Sequence, residues 1–564
     1  MSSEPSAIQE VDLLVLGAGA GGMTAALIAA LDGLQVLVVE KTGQVGGTTA
    51  TSGGTTWVPG THLSEQAGVP DKVEDADTFL KVIVGNRGGD HLRAAFLASG
   101  RAAIAELDQK TDVKFVAAAA HPDYIDGPGQ AYGGRALGPV AFDGRLLGAD
   151  FDRVRPPRPE FMGLGGMMVG RAELGSLLSP FASAANFQTT VKIVGRYVLD
   201  RLRYKRGTRL LMGNALVARL LFSLRKAGVP ILFDATASDL IIEGGRVTGA
   251  VVNGRRIRAR KGVVLATGGV SWNKTIRDRI FPKSTRAYAL GPSTNTGDGA
   301  NLATAIGASF DDGGDSPALW MPCSTYRRAD GTLAVWPHII LDRAKPGLFA
   351  VNEKGERFVN ESASYHDFSM GQIQSGATQA HLVCDAGFMR KYGMGMVMPG
   401  AANLSLMLKK GYVITAPTLA ELARKIGCDA AGLQKTVDDY NRYAATGVDE
   451  AFGRGTSVMS RFNGDPAATP NPCLGAVGAG PYYAMAVTPA DLASSAGLTG
   501  DEFGRVLGQS GQPIDGLYAC GNDLASIFRG TYPGPGTTIG PAMVFGWRVA
   551  KHAAGKLTAQ AEAA

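Results

Sequence analysis

Short apolar runs bounded by glycine and polar residues recur along this 564-residue chain, and their lengths predict strands and helices in alternation. Residues 11–16 (VDLLVL) and 36–39 have the length of buried strands, and residues 23–31 between them have the pattern of a helix. This order predicts a βαβ unit with parallel strands. Further helices are predicted over residues 76–84, 92–107, 214–226, 300–307 and 418–444, and further strands within 231–252, 263–269 and 516–522.

A segment of different composition runs from about residue 311 to about residue 470 and contains tryptophans, strands and the longest helical part. After it, the composition again resembles that of residues 1–310, with short apolar runs bounded by glycine. We therefore expect one domain built from residues 1–310 and 471–564, with residues 311–470 inserted as a second domain. The chain length allows two or three domains.

A glycine-rich turn, residues 17–22 (GAGAGG), lies between the first predicted strand and helix. In a dinucleotide-binding turn of this kind Gly17 allows the sharp turn, Gly19 lets the backbone approach the pyrophosphate, and Gly22 permits close packing of helix on strand. Glu40 follows the second strand, where a carboxylate binds ribose hydroxyls. Together these features predict a dinucleotide site without distinguishing NAD from FAD.

A second glycine and hydroxyl cluster follows at residues 46–54 (GGTTATSGG) and resembles the FAD-binding flavoproteins of the fumarate reductase and succinate dehydrogenase superfamily. Residues 263–269 (VVLATGG) and 516–522 (GLYACGN) resemble that superfamily's secondary FAD contacts. The resemblance implies an α/β fold in which a Rossmann-like FAD-binding domain is discontinuous and carries an inserted α+β catalytic or cap domain. The cofactor residues that it implies, beyond those of the turn and Glu40, are Lys41, Gly47, Thr48, Thr49, Ser52, Gly53, Gly54, Ala235, Thr267, Gly268, Gly521, Asn522, Gly536 and Ile539. No histidine precedes His62, so we expect non-covalent FAD.

Composition excludes several other classes of protein. Hydrophobic residues make up 45% and charged residues 19%, which is ordinary for a soluble globular protein. The five cysteines form no CxxC pair and the histidines show no metal-ligand spacing, which argues against a metal site, an iron–sulfur cluster or a disulfide framework. The N-terminus has no apolar signal core, and no apolar run is long enough to span a membrane, so we expect a cytoplasmic protein.

Basic residues are concentrated between residues 186 and 226, where only Asp200 carries the opposite charge. Apolar residues between 193 and 202 recur there at helical spacing, which predicts a basic amphipathic segment. Such a segment can lie on the anionic inner face of the cell membrane; a solvated helix face and a dimer contact are the alternatives. No nucleic-acid-binding motif accompanies it, so no nucleic-acid partner is expected.

Residues 530–541 (GTYPGPGTTIGP) contain four glycines and three prolines, too many for the interior of a helix or strand. Prolines give such a loop a fixed shape, and glycines let a ligand approach its backbone. The segment therefore predicts a ligand-binding loop, with a tight surface turn as the alternative.

Three segments together resemble the 3-ketosteroid Δ1-dehydrogenases: residues 121–124 (HPDY), 357–365 (RFVNESASY) and 531–543 (TYPGPGTTIGPAM). The resemblance covers nearly the whole chain, and the basic segment departs from the compact members. It implies a role in steroid degradation and FAD-dependent 1,2-dehydrogenation of a 3-ketosteroid, in which a hydride leaves C1 for flavin N5 and a proton leaves C2.

The same resemblance implies a role for each of four residues. Tyr365 corresponds to the proton acceptor and Tyr124 to its hydrogen-bonding partner, while Tyr532 O–H and Gly536 N–H correspond to the pair that polarises the C3 carbonyl. A free phenol has a pKa of about 10, so Tyr365 needs a partner that stabilises its anion. Tyr132, in the same loop, is the alternative to Tyr124. The expected pocket walls are Phe115, Trp320, Tyr483 and Pro535.

Other functions remain open at this point. A fumarate reductase-like enzyme needs histidine and arginine for a dicarboxylate, whereas the loop after Gly521 offers only Arg529. A 3-ketosteroid Δ4-(5α)-dehydrogenase acts on the neighbouring bond, but the position of Tyr365 argues against it. A non-catalytic steroid- or flavin-binding protein and the flavin subunit of a membrane electron-transfer complex belong to another class. No second dinucleotide fingerprint is present, so we expect a quinone or another carrier as external electron acceptor.

Overall fold

The computed structural model describes residues 9–339 and 342–557. Its strands, in chain order, are β1 (Glu10–Leu16), β2 (Val36–Val39), β3 (Thr56–Trp57), β4 (Phe115–Ala117), β5 (Ala136–Pro139), β6 (Phe142–Asp143), β7 (Met162–Gly163), β8 (Met167–Met168), β9 (Arg209–Leu210), β10 (Ile231–Leu232), β11 (Ala237–Glu243), β12 (Arg246–Val252), β13 (Arg255–Leu265), β14 (Phe310–Asp311), β15 (Ala318–Arg327), β16 (Leu333–Pro337), β17 (Leu348–Val351), β18 (Ala380–Asp385), β19 (Ile414–Ala416), β20 (Tyr482–Ser494), β21 (Gly497–Leu498), β22 (Arg505–Leu507) and β23 (Pro513–Ala519).

The α-helices are α1 (Ala20–Leu31), α2 (Gly47–Ala50), α3 (His62–Gln66), α4 (Val73–Val84), α5 (Asp90–Lys110), α6 (Arg171–Leu178), α7 (Ala184–Arg201), α8 (Met212–Lys226), α9 (Lys274–Ile280), α10 (Asp298–Thr304), α11 (Tyr365–Gln374), α12 (Ala386–Tyr392), α13 (Leu404–Lys409), α14 (Leu419–Ile426), α15 (Ala430–Thr446), α16 (Val458–Asn463) and α17 (Ile539–Ala553).

The first sheet joins the two ends of the chain. Its order is β10-β2-β1-β13-β12-β11, with β23 beside β13 and β22 beside β23. β1 lies parallel to β2 and β13, and β13 lies parallel to β23, as a βαβ start predicts. Helices α1, α8 and α17 pack together on it, and the core strand residues Leu13, Leu14 and Val15 are fully buried. This first domain is therefore α/β, and residues near both termini complete it.

The second sheet is antiparallel and has the order β16-β15-β20-β18-β17, with β19 also paired to β20. Its central strand β20 comes from the segment expected to rejoin the first domain after residue 470. The strand pairing instead assigns β20 to the second sheet, because its apolar residues are buried between β15 and β18. The division of the chain into domains otherwise stays a prediction.

The long helical part predicted over residues 418–444 consists of two helices, α14 and α15. Gly427 ends α14 in the left-handed region at φ +72°, a conformation that glycine adopts without strain. Asp429 then caps α15 by accepting a hydrogen bond from the Gly432 N–H at 2.6 Å.

The basic segment divides into an exposed helix and a buried one. Helix α8 is packed into the first domain, and its Arg225 and Lys226 pair with Asp150 and Asp112. Helix α7, with α6, instead forms a hairpin at the surface. The expected membrane segment of residues 186–226 is therefore too long, because its second half belongs to the core. No helix within the described residues is both long enough and apolar enough to cross a bilayer.

Candidate active site

The glycine turn after β1 has the geometry that a dinucleotide requires. Gly17 has φ +108°, and a Cβ there would lie 2.2 Å from the Ala266 carbonyl oxygen. A Cβ on Gly22 would lie 2.1 Å from the Gly17 carbonyl oxygen, so the turn and α1 pack too closely for a side chain. Gly19, in contrast, has no atom within 4 Å of a Cβ position. The open side at Gly19, in front of the N-terminus of α1, is where a pyrophosphate would approach.

The acidic residue after β2 is tied to the same turn. One oxygen of Glu40 accepts a hydrogen bond from the Ala18 N–H at 3.1 Å, and the Ala235 N–H donates to the Glu40 carbonyl at 3.1 Å. The ammonium of Lys41 pairs with Asp298 at 2.7 Å, and its contact with the cofactor stays a prediction. The arrangement suits a ribose bound at Glu40 and Ala235, with Lys41 bracing α10.

Asn295 and Asp523 hold the other predicted cofactor loops together. The sequence motifs did not indicate Asn295, whereas Asp523 directly follows the predicted cofactor residues Gly521 and Asn522. The Asn295 amide donates to Thr48 Oγ1 at 3.0 Å and to the Gly268 carbonyl at 3.2 Å. Asp523 accepts from the Thr267 N–H at 2.5 Å and from the Gly269 N–H at 3.0 Å. A buried polar side chain that connects distant loops has no sequence pattern of its own, so its role becomes visible only once the loops are placed in three dimensions.

The remaining cofactor residues lie on the same path. Gly54 has φ +71°, and a Cβ there would clash with the Gly213 backbone, so the chain crosses α8 closely. Gly47 and Gly53 face open space or a distant neighbour. At the far end, a cavity of about 30 Å³ is lined by residues of the loop 521–527, of the loop and helix 537–545, and by Leu319; among them are Gly521, Asn522, Leu524, Thr537, Thr538 and Ala542. The donor set and the glycine turn fit FAD.

Three tyrosines meet beyond that cavity and form what we call the tyrosine cluster. The ring centroids lie 5.5 Å apart for Tyr124 and Tyr365, 5.7 Å for Tyr124 and Tyr532, and 5.0 Å for Tyr365 and Tyr532. All three are buried, and the Tyr365 hydroxyl shares hydrogen bonds with the other two. The apolar residues packed around them are Leu290, Leu319, Met321, Cys323, Val335, Ala344, Met459 and Ala490.

Each tyrosine comes from a different part of the fold. Tyr365 is the first residue of α11, Tyr124 lies in the loop after β4, and Tyr532 lies in the glycine and proline loop before α17. The Tyr124 N–H donates to the Pro533 carbonyl at 2.8 Å, which joins the two loops directly. The neighbouring Tyr132 is 64% exposed, so Tyr124 and not its rival lies in the cluster.

Burial changes the acidity of the cluster. It raises the pKa of Tyr124 and of Tyr365 well above the ordinary phenol value, and it raises the pKa of Tyr532 to about 12. All three phenols are therefore protonated at neutral pH. A phenolate formed here would be scarce, but it would be a stronger base than a phenolate in water.

Gly536 provides a backbone donor next to the cluster. It has φ +97°, and a Cβ there would lie 2.4 Å from the Thr55 carbonyl oxygen, so only glycine fits. Among the described residues its N–H donates to no acceptor, while its carbonyl accepts from the Trp57 and Gly540 N–H groups. A free N–H beside a phenol is a suitable pair of donors for a ligand carbonyl.

His366 connects the tyrosine loops and was not recognised from the sequence. Its Nδ1 accepts a hydrogen bond from the Trp320 N–H at 3.1 Å, and the ring is also hydrogen bonded to the Gly530 backbone. Burial lowers the pKa of His366 to about 4, so it is neutral. Its ring lies 6.1 Å from that of Tyr532. The only sequence signal for it is that it follows Tyr365.

Three of the four expected pocket walls lie elsewhere. Trp320 packs against Phe281 and donates to Ser316 Oγ at 2.7 Å, because side chains alternate along β15 and its neighbours Leu319 and Met321 face the cluster instead. Phe115 belongs to the core of the first domain, and Tyr483 to that of the second sheet. Pro535 is buried in the loop that carries Tyr532.

Comparison with known proteins places these features in context. The model of a family described as "FAD binding domain" matches residues 12–539. The chain is 38% identical to the 4-oxocyclohex-2-ene-1-carboxylate 5-dehydrogenase of Sinomonas cyclohexanicum, covering 96% of this chain and 93% of that protein. It is 37% identical to a 3-oxosteroid 1-dehydrogenase of Mycobacterium tuberculosis, covering 97% and 99%. The crystal structure of a 3-ketosteroid Δ1-dehydrogenase from Sterolibacterium denitrificans, with 1,4-androstadiene-3,17-dione, superposes with a TM-score of 0.89 at 36% identity, covering 97% of this chain and all of that one.

Proposed function

Because this chain belongs to the FAD-binding family that contains the 3-oxosteroid 1-dehydrogenases, its cofactor is FAD, and we propose that it dehydrogenates the C1–C2 bond of 3-ketosteroids. The observation that carries the proposal is the cluster of Tyr124, Tyr365 and Tyr532 at the end of the FAD path. The reaction removes a hydride from C1 and a proton from C2, next to the ketone. FAD, when bound, takes up the hydride.

The proton from C2 is assigned to Tyr365. Its hydroxyl shares hydrogen bonds with both Tyr124 and Tyr532, and these bonds, like burial, raise the pKa of Tyr365. They would stabilise the Tyr365 anion only once a neighbouring phenol turns its own hydroxyl to donate to that oxygen. Because burial raises the pKa of Tyr365, the anion would be a strong base for a weakly acidic C–H group. The C–H group becomes acidic enough only if the neighbouring carbonyl is polarised.

Tyr532 and Gly536 are assigned to that carbonyl. Loss of the C2 proton places negative charge on the C3 oxygen, and the Tyr532 O–H and the free Gly536 N–H would bind that oxygen in the transition state. Removal of one such preorganised donor raises a barrier by about 2.7–4 kcal/mol. The rigid glycine and proline loop keeps both donors in place before substrate binds, so little reorganisation is needed.

The first test is anaerobic mixing of the purified FAD-loaded protein with 4-androstene-3,17-dione. We expect the flavin absorbance to bleach and a product two mass units lighter, with the new double bond at C1–C2. A second mixing uses the ketone that is saturated at C4–C5. If that ketone gains a double bond at C4–C5, the result would favour a Δ4-(5α)-dehydrogenase instead. No bleaching with several ring ketones would contradict the proposal. After bleaching, an artificial electron acceptor should restore the flavin absorbance. Adding a quinone in its place then tests the expected external electron acceptor.

We also propose that the hairpin of α6 and α7 rests on an anionic membrane surface. Phe181 at its tip is 86% exposed and Leu202 at its end is 78% exposed. The other large apolar side chains exposed along the hairpin are Leu174, Leu178, Phe187, Val191, Val198 and Leu199. Lys192, Arg201, Arg203 and Lys205 are exposed on the same segment, which supplies charge complementarity to anionic lipid.

Co-sedimentation with phosphatidylglycerol vesicles tests this contact. The double variant Phe181→Ser and Leu199→Ser keeps every charge and should lower the membrane-bound fraction. Val448→Ser removes a side chain that is 58% exposed outside the hairpin, and it should change nothing. Equal binding of all three proteins would contradict the proposal. A dimer that only the double variant loses would identify the hairpin as a contact between two copies of the chain instead.

A further inference from the structure

A positively charged side chain, Arg158, lies beside the apolar residues that surround the tyrosine cluster. Its guanidinium donates a hydrogen bond to the carbonyl of Leu290, whose side chain packs around the cluster. It also lies close enough to Cys323, which packs around the cluster as well, to affect the ionisation of that thiol. Arg158 thus reaches the wall of the proposed substrate site from outside the catalytic loops.

The segment that carries Arg158 is rigid. Residues 156–159 have the sequence Pro-Pro-Arg-Pro, in which proline rings hold the backbone on both sides of the arginine. Phe161, just beyond, stacks on Trp336 with ring centroids 5.1 Å apart. Trp336 follows Val335, which packs into the tyrosine cluster. The guanidinium is therefore presented to the wall by a preorganised segment.

The charge of Arg158 is not neutralised within the described residues. Its guanidinium forms no ion pair there, and its one hydrogen bond is the bond to the Leu290 carbonyl. The nearby carboxylate of Glu160 pairs with Arg328 instead. Burial lowers the pKa of Arg158 from its ordinary value, because the buried cation is costly to desolvate.

Asp491, an acidic residue next to this wall, is already paired. The Leu290 N–H donates to the backbone carbonyl of Asp491, and the carboxylate of Asp491 accepts from Arg277 at 2.6 Å. A partly buried, unpaired guanidinium with free N–H donors is a suitable site for a carboxylate, because a bound anion offsets the cost of desolvating the cation.

We propose that Arg158 binds the carboxylate of the substrate, so that this site is selective for ring ketones that also carry a carboxylate. This inference rests on the proposed dehydrogenation of a ring ketone and adds the second recognition point. The ketone oxygen would bind at Tyr532 and Gly536, and the anionic group at Arg158. A single-ring keto acid and a 3-ketosteroid whose side chain ends in a carboxylate share this chemistry.

The experiment compares each acid with its uncharged amide on the FAD-loaded enzyme. The pairs are 4-oxocyclohexanecarboxylate with its carboxamide, and a 3-oxo-4-ene steroid side-chain acid with its carboxamide. In at least one pair the acid should have a kcat/KM about 10- to 100-fold higher, the range expected for a hydrogen-bonded charge pair. The pair that shows the preference identifies whether the site binds a single-ring keto acid or a steroid with a carboxylate side chain.

Arg158→Gln should abolish that preference by lowering the kcat/KM of the acid much more than that of the amide, while Arg158→Lys, which keeps the charge, should retain part of the preference. Arg145→Gln is the matched control, since it removes a surface guanidinium that is already paired with Asp143. Flavin content and thermal stability verify that each variant is folded. The inference is overturned if neither acid is preferred, or if the preference survives in Arg158→Gln.

A binding measurement separates this inference from the proposed function. Cyclohexanecarboxylate has no ketone and cannot be dehydrogenated in the proposed way, so its binding depends on the anion site alone. Calorimetric titration should give tighter binding of cyclohexanecarboxylate than of cyclohexanecarboxamide, and Arg158→Gln should remove the difference. If no ketone bleaches the flavin, the dehydrogenase proposal fails, and this titration still decides whether Arg158 binds a carboxylate.

Discussion

At the scale of single residues, the properties of the tyrosine cluster follow from burial. A phenol in water has a pKa of about 10, but Tyr124, Tyr365 and Tyr532 lie in an apolar shell that disfavours their anions. The Tyr365 hydroxyl shares hydrogen bonds with the other two inside this apolar shell, where hydrogen bonds are stronger than in water. The proposed division of roles depends on position: Tyr365 lies between the other two, and Tyr532 lies beside Gly536.

Tyr365→Phe should lower kcat about 100- to 10,000-fold, because a general base of this kind contributes rate enhancement in that range. FAD binding and steroid binding, measured from the flavin spectrum, should stay near normal, because the ring remains in the cluster. Tyr132→Phe removes the hydroxyl of the exposed tyrosine and serves as control, with no expected change in kcat. A near-normal kcat in Tyr365→Phe would remove this residue from the role of base.

His366→Asn should make the free energy of unfolding less sensitive to acid. Burial holds the pKa of His366 at about 4, below its value of about 6.5 in the unfolded chain, so the unfolded state takes up the extra proton as pH falls between these values. Between pH 7.5 and pH 4.5 the wild type should lose about 2 to 3 kcal/mol more than the variant. Urea unfolding at both values measures the difference, and parallel losses in the two proteins would contradict it.

At the scale of elements, the turn before α11 positions the proposed base. Glu361 is fully buried and accepts from Arg357 at 2.7 Å and from Arg454 at 3.0 Å, while Arg343 donates to its backbone carbonyl at 2.6 Å. Burial alone would raise the pKa of Glu361, but these arginines hold it below its ordinary value. The motif residues before Tyr365 therefore fix where α11 begins and where its first side chain points.

Glu361→Gln should destabilise the protein by about 3–5 kcal/mol, because it leaves the buried guanidinium of Arg454 without its carboxylate and leaves Arg357 with Asp449 alone. Glu421→Gln breaks an exposed pair with Lys425 four residues along α14, and it should cost less than about 1 kcal/mol. Chemical denaturation of both variants measures the contrast. Equal, small effects would show that the cluster around Glu361 contributes little to stability.

The second sheet also contains a serine, histidine and aspartate chain that the sequence did not indicate. Ser324 Oγ lies 2.7 Å from His338 Nε2, and His338 Nδ1 donates to Asp342 at 2.6 Å. These are the distances of a hydrolase triad, but Ser324 is 1% exposed and its Oγ is also 2.6 Å from the Tyr412 hydroxyl. We interpret these three hydrogen-bonded side chains as a polar support for β15, since the serine hydroxyl is buried in protein.

At the scale of the whole molecule, the cofactor path joins distant parts of the chain. The turn at residues 17–22 and the loop at 46–54 come from the N-terminal part, and Asp523 with the loop at 530–541 comes from the C-terminal part. The tyrosine cluster adds residues from β15 and α11 of the second sheet's domain. A ligand bound along this path touches all of them, so it should stabilise the fold as a unit.

Removal of FAD should therefore lower the stability of the whole molecule. FAD at a hundredfold excess over its Kd should add about 2.7 kcal/mol, measured by thermal unfolding with and without the cofactor. Gly19→Val places a side chain in open space on the cofactor path, so it should leave the apoprotein stable and abolish the FAD effect. In Gly22→Val the new side chain would clash with the Gly17 carbonyl oxygen, so this variant should destabilise the apoprotein itself. A variant Gly19→Val that still gains stability from FAD would contradict the proposed path.

The sequence by itself determined the features that depend on neighbouring residues. The strand, turn and helix at residues 10–31, the acidic Glu40 and the glycine and proline loop before α17 follow from local periodicity and backbone restrictions, and family resemblance supplied the three tyrosines. Tertiary structure alone decided which side chains meet. It turned Trp320 away from the cluster through strand alternation, gave β20 to the second sheet, buried α8, and brought Arg158 and His366 to the site. Those outcomes depend on packing between residues far apart in the chain, for which local sequence carries no signal.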